Sequence, residues 1–224
     1  MMDEWIDFHA HILPKIDHGC DCLDTSVSQL KLAEDAGIRC IVATSHFYPD
    51  RVGMEDFPAR RDKALEELRN AYTGPVRILA GAEVLLCEGL QNYRQLSGLC
   101  AEKTRVLLIE MPTPPWPARL LNTLFALCDM GYEPVIAHID RYPRRDMDAL
   151  LASGFRGQLD SDGIFPPYKR GRAIRLIDEG TVCALGSDIH GAARKAYQNY
   201  CKAMRTLDGR GILLQKRMND LLNR

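Results

Sequence analysis

An α/β fold of the barrel type is what this 224-residue sequence predicts, and three observations predict it. Short apolar, β-branched runs alternate with longer amphipathic ones about seven times. The apolar runs are nearly continuous, as strands buried on both faces of a parallel sheet must be. No Gly-rich dinucleotide fingerprint follows the first run, which weakens the open, doubly wound alternative. Both architectures accommodate the alternation, and seven repeats in one chain favour the closed barrel, near the eight-stranded type.

The first strand is "WIDFH". The helix "DTSVSQLKLAEDAG" follows, with a Thr/Ser start, a Gly stop, and Val27, Leu30, Ala33 and Ala36 at helical spacing. "RCIVATSH" is a β-branched second strand and "MEDFPARRDKALEELRNAY" a charged helix. "VRILAGAEV" reads as the third strand, trailed by an ill-defined helical piece to about Cys100. "RVLLIEMP" and "PARLLNTLFALCDMG" make the fourth unit, and "EPVIAHIDR" and "RRDMDALLASG" the fifth. "FRGQLDS" is a weak sixth strand before the helix "YKRGRAIRLIDEG". "TVCALGSDIH" is the seventh, with helical segments to the end. No Pro/Ser-rich linker interrupts the series, so one domain over residues 1–224 is expected.

Composition excludes several classes of function. Hydrophobic residues are 46%, charged residues 26% and the net charge −1, an ordinary soluble balance. Nothing there suits nucleic acid or an anionic membrane. The acidic start (Asp3, Glu4, Asp7) is unlike a secretory signal. No apolar run approaches the roughly 20 residues of a membrane span. A cytoplasmic protein that is not membrane-inserted is expected. The eight cysteines contain no CxxC pair and read as reduced thiols. No Arg stands six residues after any of them, so the Cys-x5-Arg loop of a thiolate phosphatase is absent.

Function in a β/α barrel collects at the carboxyl ends of the strands, and all six histidines fall there. His9 and His11 end the first strand, and His18 follows in its loop. His46 ends the second, Glu83 the third, Glu110 the fourth and His138 the fifth, while Asp188 and His190 end the seventh. A lone strand-end histidine is ordinarily a hydrogen-bonded loop residue, and a lone Glu in "GAEV" or "LIEM" a buried ion-pair partner. Nine such groups on one rim are better read as ligands. Imidazole and carboxylate bind Zn²⁺, Mn²⁺ and Fe²⁺, and nine exceed what one ion needs. Residues i and i+2 share a strand face, so His9 with His11, and Asp188 with His190, each read as a two-toothed clamp. More than one metal ion is expected.

These residues resemble the PHP (polymerase and histidinol phosphatase) superfamily, and within it the bacterial PHP-type protein-tyrosine phosphatases of capsule and exopolysaccharide operons. The matching pieces are "DFHAHILPKIDHG", "GIRCIVATSHFYP", "AGAEV", "LLIEMP", "PVIAHIDRY" and "ALGSDIHG", in family order from Asp7 to Gly191. The resemblance implies a distorted (β/α)7 TIM-like barrel holding three divalent ions, often manganese, with iron and zinc as alternatives. It implies that His9, His11, Glu83 and Asp188 hold the first ion. Glu83 would bridge to a second, held also by Glu110 and His138. His46, His190 and His18 would hold the third. Arg141 is the implied phosphate-binding arginine. Arg194 is its implied companion, one residue short of the family spacing. Glu83 and Asp188 count with them as catalytic. The tyrosine phosphatases read "DDG" where this chain has "DHG", and "SDxHN" where it has "SDIHG". His18 would keep the coordination with a neutral imidazole, leaving Asp17 as an alternative ligand or as an acceptor beside it.

The activity so implied is hydrolysis of a phosphate monoester, first of all phosphotyrosine on a protein, with a cognate bacterial tyrosine kinase of capsule biosynthesis as partner. A metal-bridged hydroxide is expected to attack phosphorus in line with the phenolate, while the third ion and the arginines neutralise the equatorial oxygens. Two other functions compete. One is a small-metabolite phosphatase such as a histidinol-phosphatase, against which "LIEMP" and "HIDRY" look more like the tyrosine branch. The other is a non-catalytic metal-binding regulatory partner of the kinase, which an incomplete ligand set would suggest; here the set is complete.

Overall fold

Seven parallel strands pair side by side in chain order, and the last returns to the first. The structure is a computed structural model that describes residues 5–191 and 194–223, with the side chain of Arg194 outside the description. Barrel strand one is β1 (Trp5–His11). Strand two comes in two pieces, β2 (Ile38–Ala43) and β3 (His46–Phe47), and strand three in two, β4 (Arg77–Ala80) and β5 (Glu83–Leu85). Strands four to six are β6 (Val106–Glu110), β7 (Glu133–Ile136) and β8 (Arg156–Asp160). Strand seven is β9 (Val182–Gly186) continued by β10 (Ile189–His190).

Two ladders run β10-β1-β2-β4 and β3-β5-β6-β7-β8-β9. Because β3 continues β2, β5 continues β4 and β10 continues β9, the order runs from one to seven. It closes where Ala10 pairs with Ile189 and His11 with His190. This is the distorted seven-stranded barrel. The distortion sits in the breaks at 44–45, 81–82 and 187–188, each just below the rim. Such interruptions re-aim the side chains that follow them.

The helices are α1 (Leu23–Asp35), α2 (Asp56–Ala71), α3 (Ala118–Asp129), α4 (Arg144–Ala152), α5 (Pro167–Asp178), α6 (Arg194–Leu207) and α7 (Gly209–Leu222). They cover the outside of the ring. In β1, Ile6, Phe8 and Ala10 join the apolar core, while Asp7, His9 and His11 share the opposite face and are wholly buried. Helices α6 and α7 satisfy the start of that strand: Gln215 accepts from the Ile6 N–H at 3.0 Å, and the Tyr200 hydroxyl donates to the Ile6 carbonyl.

The third unit carries the ill-defined helical piece that its sequence suggests. Its helical piece is two short 3-10 turns, Leu90–Asn92 and Leu96–Leu99, separated by Gln95 in the left-handed region at φ 64°. Leu90, Leu96 and Leu99 are buried, but their spacing of six and three residues supplies no continuous helical stripe. Among the described residues no helix is long and apolar enough to cross a membrane. All eight cysteines are free thiols, as the sequence predicts.

Candidate metal centre

Four side chains from three strands converge at the top of the barrel. His9 Nε2 and His11 Nε2 face each other at 3.1 Å. Glu83 Oε2 lies 3.2 Å from each, and Asp188 Oδ1 lies 3.4 Å from His9 Nε2 and 3.1 Å from His11 Nε2. Ligand atoms bonded to one ion at about 2.0–2.2 Å stand about 2.8–3.6 Å apart on the edges of an octahedron or tetrahedron. All five distances fall in that interval.

Hydrogen bonding alone does not account for the cluster. Glu83 Oε2, Asp188 Oδ1, Glu110 Oε2, His46 Nδ1 and His190 Nε2 are buried without a hydrogen-bond partner of acceptable direction. Orphaned acceptors of that kind are costly unless something else binds them. A divalent cation would satisfy the oxygens and nitrogens together. Two further groups of three have atoms mutually within 4.8 Å: His46, Glu83 and Glu110, and His11, His46 and His190. The residues present therefore fit more than one ion.

The neighbours of these atoms fix which nitrogen faces inward. His9 Nδ1 is 3.1 Å from Gln158 Oε1, an acceptor, so the ring donates there and turns its Nε2 lone pair to the cluster. Gln158 Oε1 also accepts from the His138 N–H at 2.8 Å. His11 Nδ1 donates to Asp17 Oδ2 at 2.8 Å. Asp17 accepts twice more, from the His46 N–H at 2.9 Å and the Gly19 N–H at 2.8 Å. Gly19 must be glycine, because a Cβ there would stand 2.4 Å from the His11 Cβ. At Gly186 a Cβ would stand 2.4 Å from the His9 Cβ. Both histidines are thus seated against bare backbone.

The break in strand seven is pinned from below. Asp7 Oδ1 accepts from the Ser187 N–H at 2.8 Å and Oδ2 from its hydroxyl at 2.5 Å. Asp188 then takes φ 49° and donates its N–H to the His9 carbonyl at 2.8 Å. That conformation costs on the order of 1–3 kcal/mol and persists only where surroundings impose it.

Charge in the cluster is tightly coupled. Burial opposes ionisation of Glu83, but the surrounding imidazoles, His9 first, hold its carboxyl well below the usual range. Burial likewise opposes a proton on His9, yet Glu83 and Asp188 override it and raise the imidazole to about 9. His11 is also raised, by Asp17, Asp188 and Glu83 against its burial. In the metal-free chain protons therefore stand where cations would go.

Comparison with known proteins gives the family and the fold relatives of the chain. The profile of the family described as "Capsular polysaccharide synthesis, CpsB/CapC" matches residues 5–210. The chain belongs to that family. It is 29% identical over 197 residues to the tyrosine-protein phosphatase YwqE of Bacillus subtilis, covering 83% of this chain and 77% of that protein. It is 26% identical over 207 residues to the putative tyrosine-protein phosphatase CapC of Staphylococcus aureus, covering 86% and 79%. A solved structure from work on YwqE of Bacillus subtilis and CpsB of Streptococcus pneumoniae, described as unique metal-dependent tyrosine phosphatases, superposes with a TM-score of 0.78 at 24% identity. It covers 97% of this chain and 94% of the other. A histidinol phosphate phosphatase from Lactococcus lactis shares the fold at a TM-score of 0.54 and 14% identity, over 92% and 94% of the two chains.

Within this CpsB/CapC chain the first expected ligand set, His9, His11, Glu83 and Asp188, is gathered whole. Of the second, Glu83 Oε1 is 2.7 Å from His138 Nε2, and Glu110 joins Glu83 through His46. His138 lies two residues beyond β7, at φ 32°, rather than at the strand's end. Of the third set, His46 and His190 come together with His11. The exposed His18 ring stacks on His190 and His46, with centroids 4.5 and 5.0 Å apart. Asp17 accepts from His11, His46 and Gly19, and among the described residues neither Asp17 nor His18 falls in a group with metal-ligand spacing. The clamp expected of Asp188 and His190 needs correction. The kink at Asp188 groups it with His9, His11 and Glu83, while His190 falls with His11 and His46, so the pair divides between two groups that share His11.

Arg141 projects over the rim, half exposed, bonded through Nη2 to Asp188 and, at 2.5 Å, to Asp160. Arg194 opens α6, and its side chain lies outside the described residues. The sequence reading passed over Asp160 and Gln158. Asp160 is the last residue of strand six, so the strand-end rule that found the others would have found it. Its carboxyl is pushed up to about 6 by burial and by Asp140, against the pull of Arg141. Gln158 carries no ligand signature and acts through its hydrogen bonds. Aromatic rings border the centre: Tyr48 stacks on His46 at 5.0 Å, and Tyr142 lies 5.5 Å from His138 with Trp116 edge-on behind it.

Proposed function

We propose that this chain is a metal-dependent phosphoric monoester hydrolase that dephosphorylates phosphotyrosine on a protein, with a cognate bacterial tyrosine kinase of capsule biosynthesis as substrate and the cytoplasm as its place. The observation that carries the reading is the metal-type spacing of His9, His11, Glu83 and Asp188, in a family whose relatives are named tyrosine-protein phosphatases.

Three divalent ions, manganese first and iron or zinc as alternatives, are proposed. His9, His11, Glu83 and Asp188 hold one; Glu83, Glu110 and His138 another; His18, His46 and His190 the third. When bound, they supply an activated water and positive charge against the phosphoryl group. The chain's own residues do the rest. Asp17 and Gln158 hold His11 and His9 in the tautomer that leaves Nε2 free. Asp160 holds the Arg141 guanidinium at the rim, where its donors meet the equatorial oxygens of a phosphate. Tyr48 and Tyr142 flank the approach with ring faces suited to an aryl leaving group. A tyrosinate, with a reference pKa of about 10, departs with less help from a general acid than an alkoxide does.

The test is phosphate release with and without Mn²⁺ from a phosphotyrosine peptide, histidinol phosphate and p-nitrophenyl phosphate. The proposal expects Mn²⁺-dependent turnover with the peptide preferred. A clear preference for histidinol phosphate moves the chain to the small-metabolite reading. No turnover by metal-loaded protein on any of the three leaves the regulatory reading.

A further inference from the structure

A cavity of about 250 Å³ opens on the rim beside the metal centre, between the loop after β7 and the start of α5. Tyr142 is the wall the two share: its ring lies 5.5 Å from that of His138, and it lines the cavity. Asp140 ties them a second time, since its Oδ1 accepts from the Asp160 N–H at 3.1 Å and Asp160 holds Arg141. The volume is below the roughly 300–1,000 Å³ of a small-molecule site and suits a side chain or two of a larger ligand.

The cavity's lining carries surplus positive charge. Arg144, Lys169 and Arg172 line it with Asp140. Arg172 is committed to Asp148 at 2.5 and 3.1 Å, and Arg144 leans on the same carboxylate through Nε at 3.3 Å. Lys169 donates to the Asp140 carbonyl at 3.0 Å and stands 3.5 Å from its carboxylate. Three cations thus share two carboxylates, and an ammonium has three protons to donate. At the mouth Tyr168 is 82% exposed. A large aromatic side chain held in water beside a cavity has a free face to pack on.

We infer that this cavity is a specificity subsite taking an acidic side chain that flanks the phosphotyrosine of the substrate, with Lys169 and Arg144 meeting its carboxylate and Tyr168 packing beside it. The inference rests on the phosphotyrosine reading above. The geometry gives that reading a direction: the phosphoryl group sits under Arg141 and the neighbouring residue crosses Tyr142 into the cavity. Charge pairs in such a half-exposed setting change affinity by about two- to fivefold.

The experiment uses metal-loaded full-length protein and four substrates: p-nitrophenyl phosphate, and three otherwise identical phosphotyrosine peptides flanked by Glu, Gln or Lys. The Glu peptide is expected to have the highest kcat/KM, about two- to fivefold above the Gln peptide, through a lower KM. Lys169→Glu is expected to reverse the order, favouring the Lys peptide, and Tyr168→Ala to raise KM for all three peptides. Tyr168→Ala should not move the kinetics of p-nitrophenyl phosphate, which is too short to reach the cavity. Equal handling of the three peptides by wild-type protein overturns the subsite while leaving the phosphatase standing. So does a Lys169→Glu variant whose peptide preference is unchanged. Turnover of p-nitrophenyl phosphate without any turnover of the peptides overturns the phosphotyrosine reading itself.

Discussion

Replacing Asp17 by Asn removes one oxygen from a carboxylate that serves three donors. In the structure Oδ2 accepts from His11 Nδ1 at 2.8 Å and the His46 N–H at 2.9 Å, and Oδ1 from the Gly19 N–H at 2.8 Å. An asparagine placed with its oxygen toward His11 sets its NH₂ against the Gly19 donor. Flipped, it sets the NH₂ against His11 Nδ1 and drives that ring to the other tautomer. The proton then lies on Nε2, 3.1 Å from His9 Nε2 and facing the cluster. A hydrogen bond to a charged group contributes about 1.5–3 kcal/mol. Loss of such an orienting partner typically lowers metal affinity about 10- to 100-fold. The assay is Mn²⁺ titration in a metal buffer, read both as bound metal and as phosphate release. Asp17→Asn is expected to shift both midpoints upward by that factor while reaching the wild-type stoichiometry at saturation. A midpoint within about twofold of wild type would refute the orienting role. Loss of a full metal equivalent at saturation would make Asp17 a ligand and return His18 to an ordinary loop histidine.

Gln158→Leu leaves His9 Nδ1 and the His138 N–H without their shared acceptor, and Mn²⁺ affinity is expected to fall about tenfold in the same titration. His18→Ala should cost one metal equivalent with circular dichroism unchanged; full metal content would end its assignment. Metal loading should release protons. His9 is raised to about 9 from an ordinary 6.5, so at pH 7.5 it is protonated in the metal-free chain and must lose that proton to coordinate. Apparent Mn²⁺ affinity should therefore rise with pH up to about 9, and calorimetry in buffers of different ionisation enthalpy should report net release. A pH-independent affinity contradicts that account. Arg141→Ala should keep its metal and lose turnover by at least tenfold, since an arginine on the phosphoryl oxygens acts mainly in the transition state.

The barrel and the clustering of His and carboxylate side chains at its rim were legible because two periodicities are written into the chain. Apolar runs alternate with amphipathic ones, and His or carboxylate residues recur where each run ends. What lay hidden is what the breaks in strands two, three and seven do. "TVCALGSDIH" reads as one strand, and period-two logic put Asp188 and His190 on one face. The hydrogen bonds from Ser187 to Asp7, 180 residues away, hold a kink that no local pattern encodes. Gln158 was invisible for a similar reason: its two acceptances depend on strands five and one arriving beside it. Asp160 was legible in principle and lost because "FRGQLDS" is weakly apolar. The helical piece of the third unit read as ill-defined because Leu90, Leu96 and Leu99 are buried in separate turns rather than along one stripe.

Glu83 tests the whole construction most directly, because its carboxylate touches His9, His11, His46 and His138. Metal content by emission spectrometry, measured with phosphate release on wild-type protein and on Glu83→Ala, is the measurement. The account predicts several equivalents of metal and turnover in the wild type, with both lost together in the variant. Unchanged metal content in Glu83→Ala would contradict it.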